Sequence, residues 1–222
     1  MDIADIIEES YELAGWEARS AQDAITARRS LNLIFADWTN WGVNLWTLEE
    51  ITTDLVAGTA SYSLTSRTID VLEAVINEAT NDTDRPIQRI SIEEYHHLPD
   101  KTARGQPSLY AITRGQDVPT LYLYPTPDDS TDDFKAWQIR YMQDVDNMVD
   151  NADVPRRFLP ALVYRLAYEV SFKKKVNSTE PEALKEDRAR RKELLEWAGI
   201  LFERAREGDS EAADMLIRPA GR

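Results

Sequence analysis

The chain has 222 residues, 42% of them apolar, with 40 acidic against 26 basic residues and a formal net charge of −14. That apolar fraction can fill a core, which excludes global disorder, and the acidic surplus repels a phosphate backbone, which argues against sequence-independent DNA binding. Cysteine is absent, so disulfides, thiolate zinc sites and a cysteine nucleophile are excluded together. No run approaches the length of a membrane-spanning helix, and Met1-Asp2-Ile3-Ala4-Asp5 lacks the basic start of a secretory signal. The expectation is synthesis in the cytoplasm and no membrane partner. Three readings of the charge stay open: plain solubility, a surface past which DNA slides, and mimicry of DNA.

Asp2 caps a first helix with Ile3, Ile6, Ile7, Tyr11 and Ala14 on one face and Gly15 as its stop. Ser20 and Asp23 form a capping box for a second helix, whose stripe is Ala24, Ile25, Leu31, Phe35 and Trp38 and which ends at Gly42. The link between them is short, so they read as antiparallel neighbours.

From Leu45 the period changes. Ile51, Thr53 and Leu55 alternate with polar residues, and Ala57-Gly58-Thr59 turns the chain into Ser61–Leu64. A strand from Thr68 to Glu78 follows, then a polar turn at Asn81-Asp82-Thr83-Asp84 and a short strand from Pro86 to Ile90. Ser91 and Glu94 cap one or two helical turns that end near Pro99. Two strands joined by a Gly-containing turn come next, around Leu109-Tyr110 and Leu121-Tyr122-Leu123-Tyr124, with prolines where strands start or stop. The last strand, Phe134 to Met142, alternates Phe134, Ala136, Gln138 and Arg140 with Lys135, Trp137, Ile139 and Tyr141. That makes about seven strands.

Helical spacing returns with Phe158, Leu159, Leu162, Val163, Leu166, Ala167 and Val170. Pro160 either opens the main helix after a separate short piece or kinks it. Thr179 with Glu182 starts a final helix to about Arg206, with Leu184, Leu194, Leu195, Ala198, Leu201 and Phe202 on its apolar side. A short helix at Glu211–Ile217 fits the tail. The order predicts an α+β fold: a four-helix bundle from residues 1–44 and 152–208, an inserted antiparallel β-sandwich or barrel-like region at 45–151, and a C-terminal tail at 209–222.

Chemistry has few candidates. His96 and His97 are adjacent, so on a helix they point about 100° apart and do not readily share a metal. Asp128, Asp129, Asp132 and Asp133 crowd one turn without the glycine and distal glutamate of an EF-hand, and a solvated turn accounts for them. Glu93 and Glu94 are neighbours, and Glu94 already has a capping role. No phosphate loop, dinucleotide fingerprint or nucleophile elbow is present. No catalytic residue, metal site or cofactor is assigned. Basic residues gather late, at Arg156, Arg157, Lys173, Lys174, Lys175, Arg188, Arg190, Arg191 and Lys192. They read either as a helix face stitched by i,i+4 pairs such as Glu186 with Arg190, or as a contact for an acidic partner.

Several pieces, in order, resemble the head-to-tail adaptors of short-tailed phages, the class that includes tail tubular protein A. They are Trp38-Thr39-Asn40-Trp41-Gly42 with Leu45-Trp46-Thr47, Leu55 to Tyr62, Ile69 to Ala74, Leu121 to Asp128, Asp153-Val154-Pro155 and Leu166-Ala167-Tyr168. The resemblance implies a non-enzymatic virion protein of the neck, assembled in the host cytoplasm as a ring of twelve copies below the portal protein and above the tail nozzle protein. DNA passes its lumen without specific binding, and tail fibres are a further candidate partner. In some members a C-terminal segment reaches into the portal. Here Met215, Leu216, Ile217, Arg218 and Arg222 form the candidate portal contact, the alternative being that the three apolar residues fold back on the bundle. Tyr122, Tyr124, Arg156 and Arg157 are the candidate contacts to the tail or a neighbouring subunit. Two rival functions are a carboxylate-dependent cell-wall hydrolase and an acidic DNA mimic.

Overall fold

The computed structural model describes residues 1–17, 20–41, 45–114, 118–173 and 181–208. The chain opens with helices α1 (Ile3–Leu13) and α2 (Ala21–Asn40). A β-rich stretch follows: β1 (Leu48–Asp54), β2 (Ser61–Ser63), β3 (Thr68–Glu78), β4 (Thr83–Pro86), β5 (Gln88–Arg89), helix α3 (Ile92–His97), β6 (Leu109–Thr113), β7 (Thr120–Tyr124) and β8 (Asp133–Arg140). It closes with α4 (Leu159–Lys173) and α5 (Pro181–Glu207). Two compact units result, one of Met1–Val43 with Gln143–Arg222 and one of Asn44–Met142.

In the helical unit, α1, α2 and α5 each pack on α4. The reason is compositional: α4 buries Ala161, Leu162, Val163, Leu166, Ala167 and Val170 around much of its circumference, and such a helix must be covered on several sides. On α1 the expected face of Ile3, Ile6, Ile7, Tyr11 and Ala14 is buried. Ser10 is buried there too, its hydroxyl donating to the Ile6 carbonyl at 2.6 Å and to the Val163 carbonyl of α4 at 3.1 Å. Gly15 has φ +79°, the left-handed turn that stops α1, and Arg190 of α5 donates to the neighbouring Ala14 carbonyl at 3.4 Å. A Cβ on Gly15 would run into the Arg190 guanidinium.

The first backbone amides of α1 find acceptors in a loop: Ile3 donates to the Asp150 carbonyl and Ala4 to the Met148 carbonyl, both at 3.0 Å. On α2 the capping box of Ser20 and Asp23 forms as expected. Its buried face is Ala27, Ser30, Leu31, Ile34, Phe35 and Trp38, so the expected stripe needs correction: Ala24 and Ile25 are only half-buried in the first turn. Helix α2 ends at Asn40 with Trp41 as its cap, and Gly42 lies outside the described residues. A 3-10 turn at Arg156–Phe158 precedes α4, and Pro160 is the second residue of α4, where its missing amide costs no hydrogen bond. On α5 only Leu194, Ala198, Phe202 and Ala205 are buried, while Leu184 and Leu195 of the expected apolar side are exposed. Thr179, Lys174 and Lys175 lie outside the described residues.

The β-rich unit contains two four-stranded sheets, β1-β8-β3-β4 and β2-β7-β6-β5. Val71, Ile76 and Phe134 of the first meet Tyr110, Leu121 and Leu123 of the second in one buried cluster, with the Tyr110 and Phe134 rings 6.2 Å apart. Among the described residues eight strands form where about seven were expected, and the second sheet is mixed because β5 pairs parallel to β6. The difference arises at Ile87. Thr83 and Asp84, expected in a turn, already pair with β3, and the expected strand Pro86–Ile90 divides between sheets. The Ile87 amide still donates to Ala74 of β3, the Gln88 amide donates to Ser108 beside β6, and the Ile87 side chain enters the core. The turn before β4 is held by Asn77, whose amide donates to Asp84 at 2.8 Å and to Asp82 at 3.2 Å.

Strand β3 departs from simple alternation. Register shifts against β8 between Thr68 and Asp70 and between Val71 and Glu73 bring Val71 and Ala74, three residues apart, to the same inner face. Gln138 of β8 is buried yet satisfied, accepting from the Thr68 hydroxyl at 2.6 Å.

Candidate functional site

Two of the carboxylates singled out in the sequence, Glu94 and Asp129, have structural work. In α3, Ser91 and Glu94 form a full capping box, and the Ser91 amide bonded to Glu94 holds that carboxyl below its usual range. His96 sits in the last turn of α3, its carbonyl accepting from Lys101 at 3.0 Å. Asp128, Asp129 and Asp132 line a shallow polar pocket of about 290 Å³ with Glu78, Thr80 and Gln106. Within it Asp129 accepts from the Thr131 amide at 2.6 Å, and the hydrogen bonds from Thr131 lower its pKa. A general acid for glycoside cleavage needs a raised pKa. Asp70, Glu94, Asp100 and Asp129 are all displaced downward. Among the described residues no three His, Asp or Glu side chains group as metal ligands, and no helix is long and apolar enough to cross a membrane.

Asp70 on β3 is a heavily bonded carboxylate. Arg89 donates to both its oxygens at 2.8 and 3.2 Å, Arg114 donates at 2.6 Å and the Val71 amide at 3.0 Å. Burial pushes this carboxyl up, but the Arg89 hydrogen bonds and charge, the Val71 amide and Arg114 outweigh burial and hold it low. A depressed folded-state pKa stabilises above the unfolded value, near 3.8, and that contribution is lost as pH falls through the folded value. Asp70→Asn is therefore expected to cost about 1–2 kcal/mol near neutrality. In urea titrations carried into acid, the variant and wild-type curves should converge below about pH 4. A gap that stayed constant to about pH 2 would remove this ionised network from the account.

Of the hairpin side chains, Leu121 and Leu123 are fully buried and Tyr122 and Tyr124 face outward, half-buried. Tyr122 packs on Tyr95 of α3 with ring centroids 5.2 Å apart. Arg156 and Arg157 are exposed on the 3-10 turn before α4, Arg157 lying 5.8 Å from the Phe158 ring. The tyrosines and the arginines thus belong to different units. Met215, Leu216, Ile217, Arg218 and Arg222, and the expected helix at Glu211–Ile217, lie outside the described residues.

The late basic residues largely stitch helices. Arg191 pairs with Asp187 at 2.6 Å, Lys192 with Glu196 at 3.5 Å and Lys185 with Glu182 at 2.8 Å. Lys173 reaches the Ser30 hydroxyl and the Thr26 carbonyl of α2. Arg190, expected to pair with Glu186, instead reaches back to α1.

Two features escaped the residue pattern. On the outer face of β8, Trp137 is half-exposed between Glu50 of β1 and Glu73 of β3. In the helical unit, Trp38 and Trp41 of α2, Arg165 of α4, and Leu195, Ala198, Gly199 and Phe202 of α5 enclose a notch of about 70 Å³. Its wall is an aromatic cluster, with Trp38 and Trp41 at 5.0 and 5.2 Å from Phe202. The available signal was Gly199 in mid-helix, beside a leucine and a phenylalanine at helical spacing.

No curated protein matches this chain. Among solved structures, a chain from one described as the neck of an empty GTA particle computed with C6 symmetry is 10% identical. The match covers 82% of this chain and 83% of that one, with a TM-score of 0.31, too low to define a shared fold. The pattern of the SU10 adaptor protein family matches residues 1–213, in agreement with the adaptor resemblance of the sequence, and the chain belongs to that family.

Proposed function

We propose that this protein is a structural, non-enzymatic head-to-tail adaptor of a phage, located in the neck of the virion. The observation that carries the reading is the adaptor-family match across residues 1–213. The structural duties of Glu94, Asp129 and Asp70 favour it over a cell-wall hydrolase. In this reading twelve copies, assembled in the host cytoplasm, close a ring between the portal protein and the tail nozzle protein through heterologous contacts. DNA passes the lumen without specific binding, for which a net charge of −14 is suitable. Residues 1–44 and 152–208 act as a four-helix bundle toward the portal, residues 45–151 face the tail, and fibres are a further partner. Met215, Leu216, Ile217, Arg218 and Arg222 in the tail at 209–222 contact the portal, and Tyr122, Tyr124, Arg156 and Arg157 contact the tail or a neighbouring subunit.

An adaptor must not polymerise before the head is filled. Purified alone, the protein is expected to be monomeric by light scattering, and mixing with its portal should produce a ring complex. The same small species with and without portal would sink the connector reading.

A further inference from the structure

Gly199 occupies the interior of α5, where glycine is the poorest helix former after proline. A Cβ there would meet nothing within 4 Å, so the subunit's own described packing does not require the bare position. What the missing side chain does is open the notch between Trp41, Leu195 and Phe202. The chemistry of the notch restricts its occupant. At about 70 Å³ it has roughly half the ~150 Å³ of a cavity that takes up benzene, room for one aliphatic side chain. Glu196 and Glu203 flank Gly199 along α5 and are paired with Lys192 and Arg206, and Asp37 stands 3.7 Å from Arg165, itself a wall of the notch. With its rim charges paired, the notch calls for an aliphatic side chain.

The chain carries such a segment in Met215-Leu216-Ile217-Arg218, which begins seven residues after Gly208. Seven extended residues span up to about 23 Å, whereas Gly199 lies about 14 Å back along the helix from Gly208. We propose that the C-terminal segment seats one aliphatic side chain of Met215-Leu216-Ile217 in the Gly199 notch of its own subunit. The inference goes beyond the adaptor reading and does not depend on it. If the same residues also meet a portal, the notch covers them until that partner competes.

Hydrogen exchange of the free full-length protein tests this. Amides around residues 215–218 should exchange at least tenfold more slowly than an unstructured chain. Gly199→Leu, which fills the notch at an open surface position, should return them to the unstructured rate without lowering Tm. Unprotected amides in the wild type, or protection that survives Gly199→Leu, would overturn the seat. Protection that vanishes on dilution would assign the notch to a second copy and overturn it equally. Because the chain lacks cysteine, Leu195→Cys with Leu216→Cys gives an independent readout. A disulfide within the monomer is expected, and cross-linked dimers alone would refute the proposal.

Discussion

Leu123→Ala is expected to lower the unfolding free energy of the β-rich unit by about 2–5 kcal/mol, and Leu121→Ala by a similar amount. Both side chains are fully buried between the two sheets, beside Tyr110 and Phe134, where a lost isopropyl group leaves a cavity that paired strands collapse into poorly. The neighbouring tyrosines provide the control. Tyr122 is half-buried and packs on the buried Tyr95 with the rings tilted by 44°, so Tyr122→Ala should lose about 0.5–1.5 kcal/mol of ring contact plus partial burial. Urea unfolding of these variants together with Tyr124→Ala, four in all, would show the leucines well separated from the tyrosines. Equal, small losses at all four positions would mean that this region is not a packed sandwich.

Phe158→Ala should be as severe in the helical unit, at about 3–5 kcal/mol. Phe158 ends the 3-10 turn before α4 and is fully buried, with Trp38 at 6.1 Å and Phe202 at 5.7 Å. One ring therefore joins the start of α4 to α2 and α5, and its loss removes both contacts at once. The change should appear in unfolding curves and in tryptophan emission, because Trp38 is itself buried. Phe158→Leu retains most of the volume and should recover more than half of the loss. Unfolding curves of Phe158→Ala that overlaid the wild type would contradict this packing.

The neighbouring arginines predict the opposite behaviour. Arg156 is exposed two residues before this anchor, so its substitution should leave stability within about 0.5 kcal/mol, and loss of Arg157, which lies 5.8 Å from the Phe158 ring, should cost no more than about 1 kcal/mol. They remain suitable probes of partner binding for that reason. A contact role at these positions can be tested without a folding defect.

Local chemistry was legible in the sequence wherever one short segment carries its own instruction. The capping boxes Ser20 with Asp23 and Ser91 with Glu94 each require only four residues, and both form. The face of α1 follows from helical spacing, and the span of β3 from Thr68 to Glu78 follows from its β-branched run. The adaptor resemblance rested on ordered pieces of this kind, and the family match agrees with it. Properties that depend on a distant partner were not legible. The division of residues 83–89 between two sheets is decided at Ile87 by hydrogen bonds to Ala74 and Ser108. The inner placement of both Val71 and Ala74 is decided by bulges against β8. Arg190 had an acidic neighbour at helical spacing, yet the open carbonyl at the end of α1 was the acceptor that folding brought within reach. The notch at Gly199 likewise exists only because α2 and α4 supply its other walls. Spacing along the chain determines which face an element presents, whereas a register, a cap from another helix or a cavity wall requires two elements to meet.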